Sequence, residues 1–285
     1  MTQKVCVLRI EGTNCEYETY LSFIRLGASA EIVHLKQLIG AVQPRDQRQL
    51  QDYGALVIPG GFSSGDYIRA GAILAARMKG ALGAEIAEFI AAEKLILGIC
   101  NGFQVLVELG LLPGFDAPGE AAVQQAALTT NDSGRFECRA TLIKHENRGS
   151  CVFTRGIESG CILKIPCAHA EGKFFIAEHR RAEYLQRLEE NDQIVFRYVD
   201  PAGDYGGYPW NPNGSLANIA GICNPSGTIL GLMPHPERAF YPFMDAEWPR
   251  AARARTTTVI AEGYAQAYGD GQHLFASVLK YLRGS

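Results

Sequence analysis

The sequence predicts an α/β protein, a mostly parallel sheet covered by helices on both faces and extended by antiparallel strands. Two observations carry this reading. In the first half, short β runs such as VCVLRI (5–10) and LILGI (95–99) are apolar throughout rather than alternating, as strands covered on both sides must be, and they alternate with helix-like segments. In the second half the β runs alternate or are rich in aromatic residues, which suits antiparallel additions to the sheet.

The elements follow in order. A strand over 5–10 leads to a helix over 16–26, closed by Gly27, and then to strands over 31–35 and 55–58. A helix over 82–93 precedes the strand at 95–99, and a second begins at once over 101–109, closed by Gly110. Further β runs lie at 140–144, 162–166, 173–177, 194–199 and 229–233, with a Pro/Gly-rich loop over 201–214. A closing helix spans 270–282. With 285 residues, 47% of them hydrophobic, the chain can bury one sizeable core. It is expected to form a single domain over 1–285, with its core at about 4–240 and a C-terminal extension and closing helix over 241–285.

Charge narrows the function classes. Twenty-seven basic and 30 acidic residues give −3, spread without Lys/Arg runs, which argues against nucleic-acid or membrane binding. The apolar run near the N-terminus is too short for a signal-peptide core, and no stretch reaches about 18 uninterrupted apolar residues, so a cytoplasmic protein is expected. Eight cysteines (6, 15, 100, 138, 151, 161, 167 and 223) form no CxxC pair and no Cys/His cluster at zinc spacing, so no metal site is expected. Cys6 and Cys161 sit in apolar strands and read as small hydrophobes. Cys15 reads as structural, though its strand-end position puts it near any site at that edge.

Three strand-end motifs carry chemistry. In VIPGGF (57–62) a strand stops at Pro59 and two glycines, which let backbone amides approach a ligand and could form half of an oxyanion hole. In GICNGFQ (98–104) a strand ends on Cys100 and a helix starts immediately. Such a turn presents its side chain outward, Gly98 and Gly102 relieve its crowding, and the helix N-terminus favours a thiolate. In LMPHPER (232–238) the two prolines hold His235 extended, so that His235 and Glu237 fall on the same side. Together these give a nucleophile, a base and an orienting carboxylate: Cys100, His235 and Glu237. Backbone N–H groups near Gly61 or Phe62, and at Asn101, would hold an oxyanion. This chemistry is acyl transfer through a thioester, with the substrate left open.

The set PGG, GICNGFQ and PHPE, in this order, resembles the class I (triad) glutamine amidotransferases. The segments EGTNCEYE (11–18), GGFSSGDYIRAGAILA (60–75), LTTNDSGRFECR (128–139), PCAHAEGKFF (166–175), NPNGSLANIAGICNPSG (211–227) and GLMPHPERAF (231–240) narrow this to the glutaminase subunits of phosphoribosylformylglycinamidine synthase. The resemblance implies a flavodoxin-like sheet with a β extension. It implies Cys100 as nucleophile with His235 and Glu237 as its partners, an oxyanion hole lined by the backbone of Gly61, Phe62 and Asn101, and Gln104 reaching toward the glutamine substrate. It also implies a large synthetase subunit and a small accessory subunit as partners. No cofactor is then expected on this chain, with ATP and magnesium on the synthetase.

Departures accompany the resemblance. The family's AHGEG reads AHAEG, with Ala170 at a glycine position, Glu16 stands where aspartate is usual, and residues 242–269 match nothing assignable. Arg250, Arg253 and Arg255 in that stretch suit a solvated face, or else a subunit contact. His169 and Glu171 form a second His-x-Glu pair without a proline frame, better suited to contacting the synthetase than to catalysis. Asn131, Ser133, Arg135 and Phe136 suit turn capping and ligand contact equally. Two other readings keep distinct predictions: a stand-alone cysteine hydrolase of the same fold (a peptidase or γ-glutamyl hydrolase), and a non-catalytic binding protein.

Overall fold

A computed structural model describes residues 4–116, 124–247 and 268–284. Arg250, Arg253 and Arg255 lie outside the described residues. A nine-stranded sheet runs through the molecule in the order β2-β1-β3-β4-β11-β10-β9-β6-β7. Strands β1 (Lys4–Arg9), β2 (Ala30–His34), β3 (Tyr53–Ile58), β4 (Leu95–Ile99) and β11 (Ile229–Leu232) pair in parallel. Beyond β11 the pairing turns antiparallel through β10 (Ile219–Cys223), β9 (Ile194–Val199), β6 (Glu137–His145) and β7 (Ile162–His169). A separate ribbon joins β5 (Ala127–Thr129) to β8 (Lys173–Phe175). The expected α/β class and the antiparallel extension are both present.

The helices pack in two groups. In the first, α3 (Ala72–Ala91) lies against α4 (Asn101–Glu108), and α4 packs on β3, β4 and β11. In the second, α1 (Glu16–Arg25) meets α6 (Gln272–Leu282), with α1 on β1 and α6 on β3. This double cover explains why every residue of β3 and β4 is buried. No described helix is long and apolar enough to cross a membrane.

Among the elements that differ from the sequence expectation, three are instructive. The helix expected over 82–93 starts ten residues earlier, at Ala72. Gly80 and Gly83 obscured it, yet both face open space, where each costs a helix only about 1 kcal/mol. Strand β7 continues past Pro166 to His169; it is the edge of the sheet, where a proline's missing N–H is tolerated. The polar helix α5 (Glu178–Glu190) was not expected from pattern, because it buries only Tyr184 and Leu188. The four-residue α2 (Leu35–Leu38) completes the set of described helices.

Candidate active site

The chemistry gathers at the carboxyl ends of two adjacent parallel strands, where open α/β sheets place their ligands. Leu232 of β11 pairs with Ile99 of β4, so the residues following each strand emerge side by side. Cys100 is the first residue after β4 and adopts φ 51° and ψ −104°, a conformation that is costly for a residue with a side chain. Its amide donates to Leu232 O (2.8 Å) and its carbonyl accepts from Gln104 N (3.1 Å), which pins the strained residue on both sides.

The flanking glycines are required by contact. A Cβ on Gly98 would lie 2.6 Å from the backbone of Gly102, and a Cβ on Gly102 would lie 1.9 Å from the carbonyl oxygen of Ile58. The elbow therefore closes only because strand β3, strand β4 and helix α4 meet with no side chain between them. The Cys100 side chain is buried, with Sγ 3.6 Å from the carbonyl oxygen of Ala168 at the end of β7.

His235 is extended (φ −103°, ψ 90°), as its position before Pro236 requires, and its amide donates to Pro166 O at 2.8 Å. Glu237 lies in one turn of 3₁₀ helix over Pro236–Ala239, not in an extended segment as the alternation argument supposed. Pro236 has the fixed φ that suits the first position of such a turn. The turn still delivers the carboxylate, and His235 Nδ1 lies 2.6 Å from Glu237 Oε1, with both residues buried. Burial disfavours the imidazolium, but the charges of Glu237 and of Cys100 outweigh it and raise the His235 pKa well above the usual range. His235 Nε2 is buried and has no hydrogen-bond partner among the described residues.

The remaining site residues are arranged around Asn101. Its Nδ2 donates to Gln104 Oε1 (2.9 Å) and Asp66 Oδ1 (3.2 Å), and its Oδ1 accepts from Ser63 N (3.2 Å). Gln104 Nε2 donates to Glu171 O at 2.6 Å. Gln104, expected to reach toward substrate, thus has its amide committed to tying α4 to the turn after β7. Burial, then the neighbouring Glu171 carboxylate, pushes Asp66 up to about 6.

Of the expected oxyanion donors, Gly61 N and Asn101 N have no acceptor among the described residues, whereas Phe62 N donates to Gly12 O at 2.8 Å. Gly61 sits in an isolated antiparallel bridge to Thr13 with φ 145°, where a Cβ would strike Thr13 and Asn14. The expected Phe62 donor is thus engaged by Gly12 in this structure. The strand-to-glycine pattern gave no sign that residue 12 would take that amide.

The second His-x-Glu pair is not a dyad. His169 Nδ1 meets Asn131 Oδ1 (3.2 Å), while Glu171 Oε2 accepts from Ala70 N (3.1 Å). Burial, reinforced by the charge on His235, lowers the His169 pKa to about 4 and keeps the ring neutral. Asn131 Nδ2 donates to the carbonyls of Arg135 and His169, so Asn131 organises this wall. Ser133 Oγ caps the same turn by accepting from Arg135 N at 3.3 Å, and the Phe136 ring lies 6.3 Å from that of Phe62. Sequence reasoning missed the Ala168 carbonyl, which no side-chain motif could signal, and it missed the contact of Cys15 with His235. Cys15 Sγ lies 4.0 Å from His235 Nδ1 and 3.2 Å from Arg238 Nη2.

Comparison with known proteins decides the family. A model of the CobB/CobQ-like glutamine amidotransferase domain matches residues 2–282. Over 281 residues the chain is 53% identical to the phosphoribosylformylglycinamidine synthase subunit PurQ of Archaeoglobus fulgidus, covering 98% of this chain and 97% of that one. The chain belongs to the PurQ family of glutamine amidotransferases. Its identity to PurQ of Picrophilus torridus is 47% over 245 residues, covering 85% and 89% of the two chains. A chain in the structure of PurLQS from Thermotoga maritima superposes with a TM-score of 0.70 at 32% identity, covering 99% of this chain and 100% of that one. Ala170 is not among the non-glycine residues with positive φ, so its methyl group adds no left-handed backbone strain.

Proposed function

We propose that this chain is the glutamine-hydrolysing subunit of a phosphoribosylformylglycinamidine synthase, acting as one amidotransferase domain in the cytoplasm. The observation that carries the reading is the strained elbow at Cys100 beside the buried His235–Glu237 pair, 2.6 Å apart. Cys100 sulfur attacks the side-chain amide carbon of L-glutamine, and His235, oriented by Glu237, manages the proton. The developing oxyanion is met by the amides of Asn101 and Gly61. Phe62 joins them if its amide leaves Gly12.

Collapse of the tetrahedral intermediate breaks the C–N bond, and imidazolium gives its proton to the departing ammonia. Water then attacks the γ-glutamyl thioester with His235 as base, releasing glutamate and the thiol. Ammonia passes to a large synthetase subunit, which converts formylglycinamide ribonucleotide to its amidine with ATP and magnesium, and a small accessory subunit completes the complex. This chain needs no cofactor of its own for the hydrolysis.

The test uses the assembled complex with two nitrogen donors. Cys100→Ala is expected to lower glutamine-dependent synthesis by at least about 10³-fold while ammonium-dependent synthesis continues. Full glutamine-dependent activity in that variant would overturn the assignment.

A further inference from the structure

We infer that Cys15, His235 and Glu237 form an inhibitory site for a thiophilic divalent cation, zinc above all, on the side of the imidazole engaged by Glu237. One ligand atom from each of the three lies within 4.8 Å of the others, and all three residues are buried. His235 Nδ1 is 4.0 Å from Cys15 Sγ and 2.6 Å from Glu237 Oε1. Tetrahedral zinc, at about 2.3 Å from sulfur and 2.0–2.2 Å from nitrogen and oxygen, holds its ligands roughly 3.3–3.7 Å apart. Closing the first gap and opening the second each requires under about 1 Å.

A further oxygen, Glu237 Oε2, is buried without a hydrogen-bond partner and is available to the same ion. The three residues are brought together by the fold, with Cys15 and His235 220 residues apart, so no ligand spacing in the sequence could show them. Arg238 is the resident cation: its Nη2 lies 3.2 Å from Cys15 Sγ, and its Nε is held by Glu18 Oε2 at 3.0 Å. A divalent ion displaces that guanidinium from sulfur while Glu18 keeps it on the surface, which favours a reversible site over a structural one.

Binding releases the Cys15 thiol proton, and the single proton of the neutral ring, shared with Glu237 at Nδ1, moves to Nε2. Coordination through Nδ1 uses that nitrogen's lone pair and leaves the ring proton on Nε2. The imidazole then cannot take a proton from Cys100. This consequence rests on the triad reading above, but the binding itself does not.

Anaerobic titration of the full chain with cobalt(II), read by its thiolate charge-transfer absorption, tests the binding without any turnover. The band is expected in the native chain and in Cys100→Ala, and it is expected to be lost in Cys15→Ser. The zinc concentration that halves glutamine-dependent synthesis in the complex should rise at least tenfold in Cys15→Ser, with ammonium-dependent synthesis unaffected by zinc in both. Cys15→Ala replaces Cys15→Ser if the serine variant does not fold, as judged by its melting transition. A band that survives in Cys15→Ser, or that vanishes in Cys100→Ala, overturns the site. So does a native chain with no thiolate band.

Discussion

The two halves of the sheet make unequal contributions to one site. The parallel half ends in Cys100 after β4 and in His235 and Glu237 after β11, so it supplies the groups that would react. The antiparallel half supplies no reacting side chain, only a wall: Pro166 O holds the His235 amide, Ala168 O faces the Cys100 sulfur, and Glu171 O holds Gln104. On the proposed reading, chemistry is set by strand ends in register, and its alignment by backbone carbonyls from the edge strand and the turn that follows it. The asymmetry explains why a turn as strained as Cys100 persists, since it is fixed from both halves.

That contrast can be broken at graded strengths. The largest effect is expected in the parallel half, from Gly102→Ala, whose new methyl would meet the Ile58 carbonyl at 1.9 Å. Either the elbow moves or the strand does. A stability loss of about 3 kcal/mol in denaturant titration and near-complete loss of glutamine-dependent synthesis are expected together. A Gly102→Ala chain with native stability and activity would show that the close approach is not needed.

A smaller effect is expected where the halves are joined. Gln104→Leu removes the bond to Glu171 O and leaves that carbonyl and the Asn101 amide without this partner. A cost of about 1–2 kcal/mol and roughly a tenfold fall in glutamine-dependent kcat/KM are expected. If Gln104 instead binds substrate directly, KM rises while stability stays unchanged, so measuring both separates the roles.

The smallest effect is expected in the wall itself. His169 has its pKa lowered from 6.5 to about 4, so the unfolded chain binds its proton more readily than the folded one. Its contribution to stability is complete above 6.5 and is lost as pH falls toward 4, with a slope of up to about 1.4 kcal/mol per pH unit. Asp66 works in the opposite sense: raised from 3.8 to about 6, it stabilises below 3.8 and loses that contribution as pH rises through about 6. Unfolding of His169→Gln followed between pH 6.5 and 4 should therefore show a weaker acid destabilisation than the native chain. An unchanged profile would mean that the ring is not held neutral.

The same asymmetry governs what the sequence made legible. The parallel half was readable because its signals are local: apolar runs, Gly-Gly after a strand, a cysteine at a strand-to-helix junction, and a histidine between two prolines. The wall was not readable, because it works by carbonyls, and carbonyls leave no mark on residue type. Asn131 was singled out as a loop polar residue and Gln104 through resemblance, but their partners depend on how β7 passes the elbow. Cys15 looked structural for the same reason: nothing near position 15 announces a histidine 220 residues away. Helix α5 escaped because two buried side chains in thirteen residues are too few for a periodic pattern.

The central claim, that Cys100 rather than any other thiol attacks glutamine, is tested most directly by labelling the assembled complex with an electrophilic glutamine analogue and locating the adduct by peptide mass spectrometry. The adduct is expected on Cys100 alone, with glutamine protecting against it and glutamine-dependent synthesis lost in proportion to labelling. An adduct on Cys15, or loss of that synthesis with Cys100 unmodified, would contradict it.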